Sequence, residues 1–320
     1  MMKRIILSLK KHRAIVLTVL GVIIVLATAG GLWWLYKVNS DPTVVWYRSL
    51  DKSLQLSSYK ADGHETQSGQ DGYDLMWHES VDSSKLNQER ASAHLKFDYA
   101  YLQVEYDTVG TADTEYMNFQ KAQAISLDGI VYQSTPNILN KWVKGYENYR
   151  ESVHTPLNDT LTVAHLGSEI QPSGVFPTGN FKPEMRDKVI RYAKQINLYG
   201  DISHPKKVKE GGSEVYVYIF QFDPAKNTQF SDYVDSVTGR IKKPTETEKG
   251  VKEDKSPYKA TNWRVTVDPK TSYITRIQIS SQNGERQKDL HFFDFNQPRV
   301  TISFPTPTIT PEQFNAGFSY

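Results

Sequence analysis

The sequence predicts an α+β protein, an N-terminal transmembrane helix followed by one largely antiparallel β domain. Three observations carry this. Residues 14–36, AIVLTVLGVIIVLATAGGLWWLY, contain no charge. Beyond residue 55, apolar side chains recur at every second position in run after run, the period of a half-buried strand. Helical spacing is kept only in short stretches near residues 42–54 and 183–198.

A helix of 23 residues is about 34 Å long, enough to cross a hydrocarbon core of ~30 Å with some tilt. Lys3, Arg4, Lys10, Lys11 and Arg13 precede it, while Lys37 and Asp41 behind it nearly cancel. The positive-inside bias keeps the N-terminus in the cytoplasm and exports the rest, with Trp33, Trp34 and Tyr36 at the outer headgroup layer. Ala27-Thr28-Ala29 also fits a signal-peptidase site, but the apolar run continues through GGLWWLY, which a mature N-terminus has no reason to carry. The expected organisation is a basic cytoplasmic tail (1–13), a single cell-membrane span (14–36), an extracytoplasmic domain (41–305) and an extended, peripheral tail (306–320).

Composition narrows the function. The chain has 320 residues and no cysteine, which removes disulfide frameworks, thiolate metal sites and thiol nucleophiles together. Six of its 38 basic residues and none of its 36 acidic ones lie in the first forty positions, so residues 41–320 hold 32 bases against 36 acids, a net charge of −4. No basic stripe remains to bind nucleic acid. The 12% of aromatic residues suits pleated, half-buried faces.

Asp41-Pro42 starts the first helix, with Asp41 as N-cap and Pro42 at the first helical position, and Val44, Val45, Tyr47, Leu50 and Leu54 continue it. Strands are expected at Tyr73–His78, Tyr116–Ile125, Gly129–Gln133, Val215–Phe222, Trp263–Val267, Tyr273–Ser280, Lys288–Phe295 and Val300–Phe304. Leu95, Phe97, Tyr99 and Tyr101 alternate on one parity and Leu102, Val104 and Tyr106 on the other, which suggests a bulge in one long strand pair. Asp268-Pro269-Lys270-Thr271 and Gln282-Asn283-Gly284-Glu285 are turns that make the last strands a meander. Pro183–Leu198 gathers Met185, Val189, Ile190, Ala193 and Ile196 on one helical face, expected to pack on the sheet, with Gly200 as a stop. Residues 242–257, KKPTETEKGVKEDKSP, have almost nothing to bury and are expected to be a solvated loop or frayed helix.

The order WRVTVD, DPKT, YITRIQIS and then FFDFNQPRVTISFP (Phe292–Pro305) resembles the C-terminal meander of LolA-like and LppX-type lipoprotein carriers. DGIVYQSTPNILNKWVKG is similar to that family's tyrosine-bearing strand followed by a tryptophan-bearing strand start. The resemblance spans residues 41–305 in element order and about 264–305 in motif detail. It implies a curved antiparallel sheet, a half-barrel, with helices on its concave side and an apolar cavity for acyl chains between them. Tyr132 and Trp142 would then be mouth residues. The chain departs from the family in having no lipobox cysteine; a transmembrane anchor takes that place, which is at odds with free shuttling between membranes.

Catalytic and phosphate-binding motifs are missing. His64-Glu65 and His78-Glu79 begin like a zincin motif, but Ser68 and Asp82 stand where the second histidine would be. Ser57-Ser58-Tyr59-Lys60 has penicillin-enzyme spacing without the partner motifs. Asp71 and Asp74 in QDGYD are best read as a solvated turn rather than a calcium loop. Asn158-Asp159-Thr160 is a glycosylation sequon, meaningful only in a eukaryotic secretory route. Neither an enzyme nor a bound cofactor is expected. Two readings stay open: a domain that binds a lipid or lipoprotein acyl chain, and a cell-envelope scaffold or sensor that binds a protein partner without a cavity. For the first, the candidate lining residues are Phe97, Tyr99 and Tyr101 from one strand region, Val215, Val217 and Ile219 from another, and Met185, Val189 and Ile196 closing from the helix.

Overall fold

The structure, a computed structural model, describes residues 25, 28 and 40–316, apart from 70–71, 87–88, 100–101, 112–114, 126–130, 134–137, 145–175, 222, 240–261, 282 and 298–301. Apart from residues 25 and 28, the expected transmembrane segment lies outside the described residues, as does the charged stretch 242–257. No helix among the described residues is long and apolar enough to cross a membrane.

The chain runs α1 (Pro42–Leu54), β1 (Ser58–Gln67), β2 (Tyr73–Asp82), β3 (Arg90–Tyr99), β4 (Leu102–Gly110), β5 (Glu115–Ile125), β6 (Val131–Gln133), β7 (Trp142–Lys144), α2 (Pro183–Gln195), β8 (Lys206–Glu210), β9 (Ser213–Gln221), α3 (Pro224–Thr238), β10 (Asn262–Val267), β11 (Ile274–Ser280), β12 (Arg286–Phe293) and α4 (Pro311–Ala316). All twelve strands form one antiparallel sheet in the order β6-β5-β4-β3-β2-β1-β12-β11-β10-β9-β8, with β7 beside β6 on β5. The ends β6/β7 and β8 do not pair with each other, so the sheet is open. The β1–β12 pairing joins the first strand to the last and turns two meanders into one layer.

The α1 cap forms as its residues require. The Asp41 carboxylate accepts hydrogen bonds from the backbone N–H of Thr43 (2.8 Å) and Val44 (3.2 Å). The helix buries Val45, Trp46, Leu50 and Leu54. Trp46 is held in a nest of rings, with centroids 4.7 Å from Tyr218, 4.9 Å from Tyr199, 5.2 Å from Phe220 and 5.9 Å from Phe176. The Tyr218 hydroxyl donates to the Pro42 carbonyl at 2.7 Å, fixing the helix start over β9.

Four expectations are corrected. The parity change after Tyr99 is a chain reversal and not a bulge: β3 and β4 pair antiparallel with Tyr99 opposite Leu102. Partners in such a pair have a constant index sum, here odd, so same-face residues switch parity. The bulge lies in β5, opposite Glu105 and Tyr106. Helix α2 does not lie chiefly on the sheet; it packs on α1 and α3, through Arg186–Asp51 (2.7 Å) and a Tyr192–Tyr233 stack at 3.9 Å. Residues 302–304, expected in a strand, are irregular. The tail, expected to be peripheral, is built in. Ile309 bridges Val143, and fully buried Phe314 sits 4.8 Å from Phe119.

Candidate functional site

The pairing registers sort the central strands into an inner face, covered by the helices, and an outer face. One inner rung reads Phe292, Ala61, Glu79, Ala93, Thr108, Met117 from β12 to β5. The next reads Leu290, Gly63, Trp77, Leu95, Tyr106, Phe119, and the one beyond it Lys288, Glu65, Leu75, Phe97, Val104, Ala122. On the outer face the matching rung is His291, Asp62, His78, His94, Asp107, Asn118. Both His-Glu dipeptides thus lie on strands, where the period of two sends the imidazole out and the carboxylate in. No zincin geometry can arise from them. Among the described residues no group of three or more side chains could hold a metal ion.

The inner face carries two fully buried glutamates with opposite fates. Glu65 is satisfied. It accepts hydrogen bonds from the Tyr73 hydroxyl (2.5 Å) and Arg286 Nε (2.5 Å), and Lys288 Nζ stands 3.5 Å from its second oxygen. Burial pushes its pKa up, but Lys288, Tyr73 and Arg286 together outweigh that and hold it below the usual carboxylate value. Glu79, one strand over, has no hydrogen-bond partner on either oxygen. Burial drives its pKa well above the ordinary value, with Lys288 opposing only in part. Lys288 is engaged elsewhere, 5.2 Å over the Trp77 ring as well as beside Glu65.

Next to this rung an apolar cleft separates the sheet from the end of α1. Leu56, Tyr59, Ile274, Ile277 and Phe292 line it, and Phe176, Tyr273 and Phe295 complete it. Tyr273 and Phe295 are stacked at 4.3 Å and stay partly exposed. The cleft is nearly filled by its own walls, with only about 20 Å³ of space that would admit water. The Tyr59 ring packs 5.8 Å from Phe292, and its hydroxyl nears Thr178 without closing a hydrogen bond of ordinary geometry. On the outer face a larger, more polar groove, with about 510 Å³ of space that would admit water, runs past His64, Arg264, Gln278 and Asp289.

The sequence-predicted lining residues fall in several places. Phe97 is on the inner face, 5% exposed, and Val189 is fully buried under α2; Met185 and Ile196 are half-buried on the same helix. None of these four touches the cleft. Tyr99 pairs with Tyr73 at the end of β3 and Tyr132 with Ala124 in β6, but their side chains, like Tyr101 altogether, lie outside the described residues. Trp142 is half-buried at the far edge, its backbone bonded to Thr308, and not at the cleft mouth. Val215, Val217 and Ile219 require correction. In β9 the main core cluster takes in Tyr216, Tyr218 and Phe220; Val215 and Val217 are buried too, but on the opposite face, and Ile219 is 49% exposed. Both parities of β9 are apolar, and the larger rings take the inner side because only they reach Trp46. The residues that sequence reasoning missed, Tyr59, Ala61, Gly63, Glu65 and Glu79, come from β1 and β2. The alternation of Glu65 and Glu79 with outward histidines was the available signal.

An open antiparallel sheet with helices on one face and an aromatic-lined cleft beneath them is the class these elements define. No family model and no curated protein sequence matches the chain. Among solved structures it is similar to LprF from Mycobacterium bovis, at 11% identity over 84% of this chain and 95% of that one, with a TM-score of 0.37. It is similar also to a LolA superfamily protein from Nitrosomonas europaea (7% identity, 81% and 94% covered, TM-score 0.23) and to a DUF1329 family protein from Desulfovibrio piger (8%, 82% and 96%, TM-score 0.25). The neighbours thus include the LolA-like group that the C-terminal motifs resemble. At these TM-scores they carry no argument about a ligand.

Proposed function

We propose that the chain is a single-pass, membrane-anchored extracytoplasmic protein whose β domain binds an apolar ligand, a lipid or lipoprotein acyl chain, without catalysis. The N-terminus is cytoplasmic and the sheet curves around the ligand, with α1 on its concave side. One observation carries the reading: the cleft between α1, β1, β11 and β12 has walls that are almost wholly apolar and aromatic. Such a seam can part for an alkyl chain and re-close on it. Each methylene moved into it from water contributes about 0.8 kcal/mol.

The test is photolabelling of the full-length chain in nanodiscs with a lipid carrying a diazirine in its acyl chain, followed by peptide mapping. Label in the peptides containing Leu56–Tyr59 and Phe292–Phe295 is the expected result. Label confined to residues 14–36 would overturn the reading and direct attention to a protein partner on the outer face.

A further inference from the structure

We propose that the outer-face groove is a second binding site, for a linear glycan that carries carboxylates. It lies on the opposite side of the sheet from the apolar cleft and does not depend on the lipid reading.

The groove follows a rung of the sheet. Ile219, Arg264, Gln278, Asp289 and His64 stand opposite one another from β9 to β1, and the period of two sends all five to the outer face. The rung beside it brings the short side chains of Asn262, Ser280 and Thr66, which leave depth between the longer ones. The trough over the two rungs has about 510 Å³ that would admit water, against about 20 Å³ in the apolar cleft. That is the size of a small-ligand site. Five strands about 4.8 Å apart give it a length of about 19 Å, and a linear glycan advances by nearly that strand spacing with each ring.

Its polar groups hold one another in place and still have hydrogen-bonding capacity left. Asp289 accepts from Arg276 Nε at 2.8 Å and from Gln278 Nε2 at 3.2 Å, which leaves the Gln278 amide oxygen to accept from a guest. Asn262 Oδ1 accepts from Gln221 at 2.7 Å, which leaves its NH₂ to donate. His64 bonds Asp74 through Nε2 at 3.1 Å, and Nδ1 remains. Donors and acceptors are thus mixed along the floor, the complement of a hydroxyl group, which does both.

Arg264 sets the charge of the guest. It is exposed and has no ion pair among the described residues, whereas Arg276 and Asp289 cancel each other. An uncompensated guanidinium matches a carboxylate, which it grips with two parallel hydrogen bonds. One such cation is too few for a nucleic acid. A peptide would pair with a sheet edge or seat apolar anchors, and this is a polar sheet face. Ile219, exposed at the β9 end, offers an apolar contact for the C–H face of a sugar ring.

The experiment uses the full-length chain in a detergent without a sugar head, with hexagalacturonate, its methyl ester and hexaglutamate as probes. Calorimetric titration at low salt reads binding, and the melting temperature reads stability. The acid should bind about 10-fold more tightly than the ester, the factor expected of one charge-assisted pair. Arg264→Gln should abolish that preference, leave ester binding within about twofold and keep the melting temperature, since the side chain has no partner to lose. Asn262→Leu should weaken both glycans. Lys96→Gln, which removes an exposed charge from the same face outside the groove, should weaken neither. Hexagalacturonate that does not bind, a preference that survives Arg264→Gln, or an equal loss in Lys96→Gln would each overturn the assignment. Hexaglutamate bound as tightly as the glycan would overturn it too and make the groove a site for acidic peptides.

Discussion

The Trp77 indole lies flat across Gly63 on the neighbouring strand: a Cβ at residue 63 would stand 1.9 Å from its Cε2. Gly63 is therefore a space and not a hinge. It lets the largest side chain on β2 lie over β1 and carry Lys288 on its ring.

Gly63→Ala should destabilise the domain by about 1–3 kcal/mol, the cost of overpacking a filled site. Urea unfolding measures it. Adding Trp77→Phe, with its smaller ring, should recover part of the loss, and a double mutant no better than the single would show that the contact is not the cause.

Removing the Glu65 charge should cost more than any surface ion pair. Glu65→Gln leaves Arg286 and Lys288 facing a neutral group in a buried site and should destabilise by about 3–5 kcal/mol. Because the folded-state pKa of Glu65 is depressed, its stabilisation is complete above the unfolded value near 4.5 and is lost as pH falls through the folded one. Wild-type stability should drop on acidification, and Glu65→Gln should flatten that drop.

Glu79 acts in the opposite sense. Its pKa is raised on folding, so at pH 4 both states hold the proton, while above the ordinary value near 4.5 only the unfolded state releases it. The folded state loses ground as pH rises from there. The stability of Glu79→Gln minus that of the wild type should grow between pH 4 and 7, and a difference that shrinks would mean the carboxylate is stabilised in the fold.

Phe314 tests the tail. It is fully buried against Phe119, and Thr308 ties the same segment to Trp142. Phe314→Ala should cost about 3–5 kcal/mol. A melting curve unchanged by the substitution would mean that the tail packs only loosely.

Legibility followed the kind of physics each element depends on. The Asp41-Pro42 helix start, the amphipathic α2 and the β10–β12 meander depend on neighbours in sequence, and their caps, spacings and turn residues could be read directly. The central strand β1, SYKADGHETQ, could not. Its inward residues Ala61, Gly63 and Glu65 are small or charged, so no apolar alternation marks it. Helix α3 was hidden likewise, since few of its residues, among them Phe230 and Val234, are buried.

By itself the sequence determined the α+β class, the antiparallel meander and the absence of thiol chemistry, all set by composition or by spacing within a few residues. Tertiary structure alone decided which face of β9 is inside, where α2 rests and what β1 is for. Alanine and glycine beside an indole, and one glutamate paired while another is left unpaired, acquire meaning only when strands more than 200 residues apart in the chain lie side by side, as β1 and β12 do.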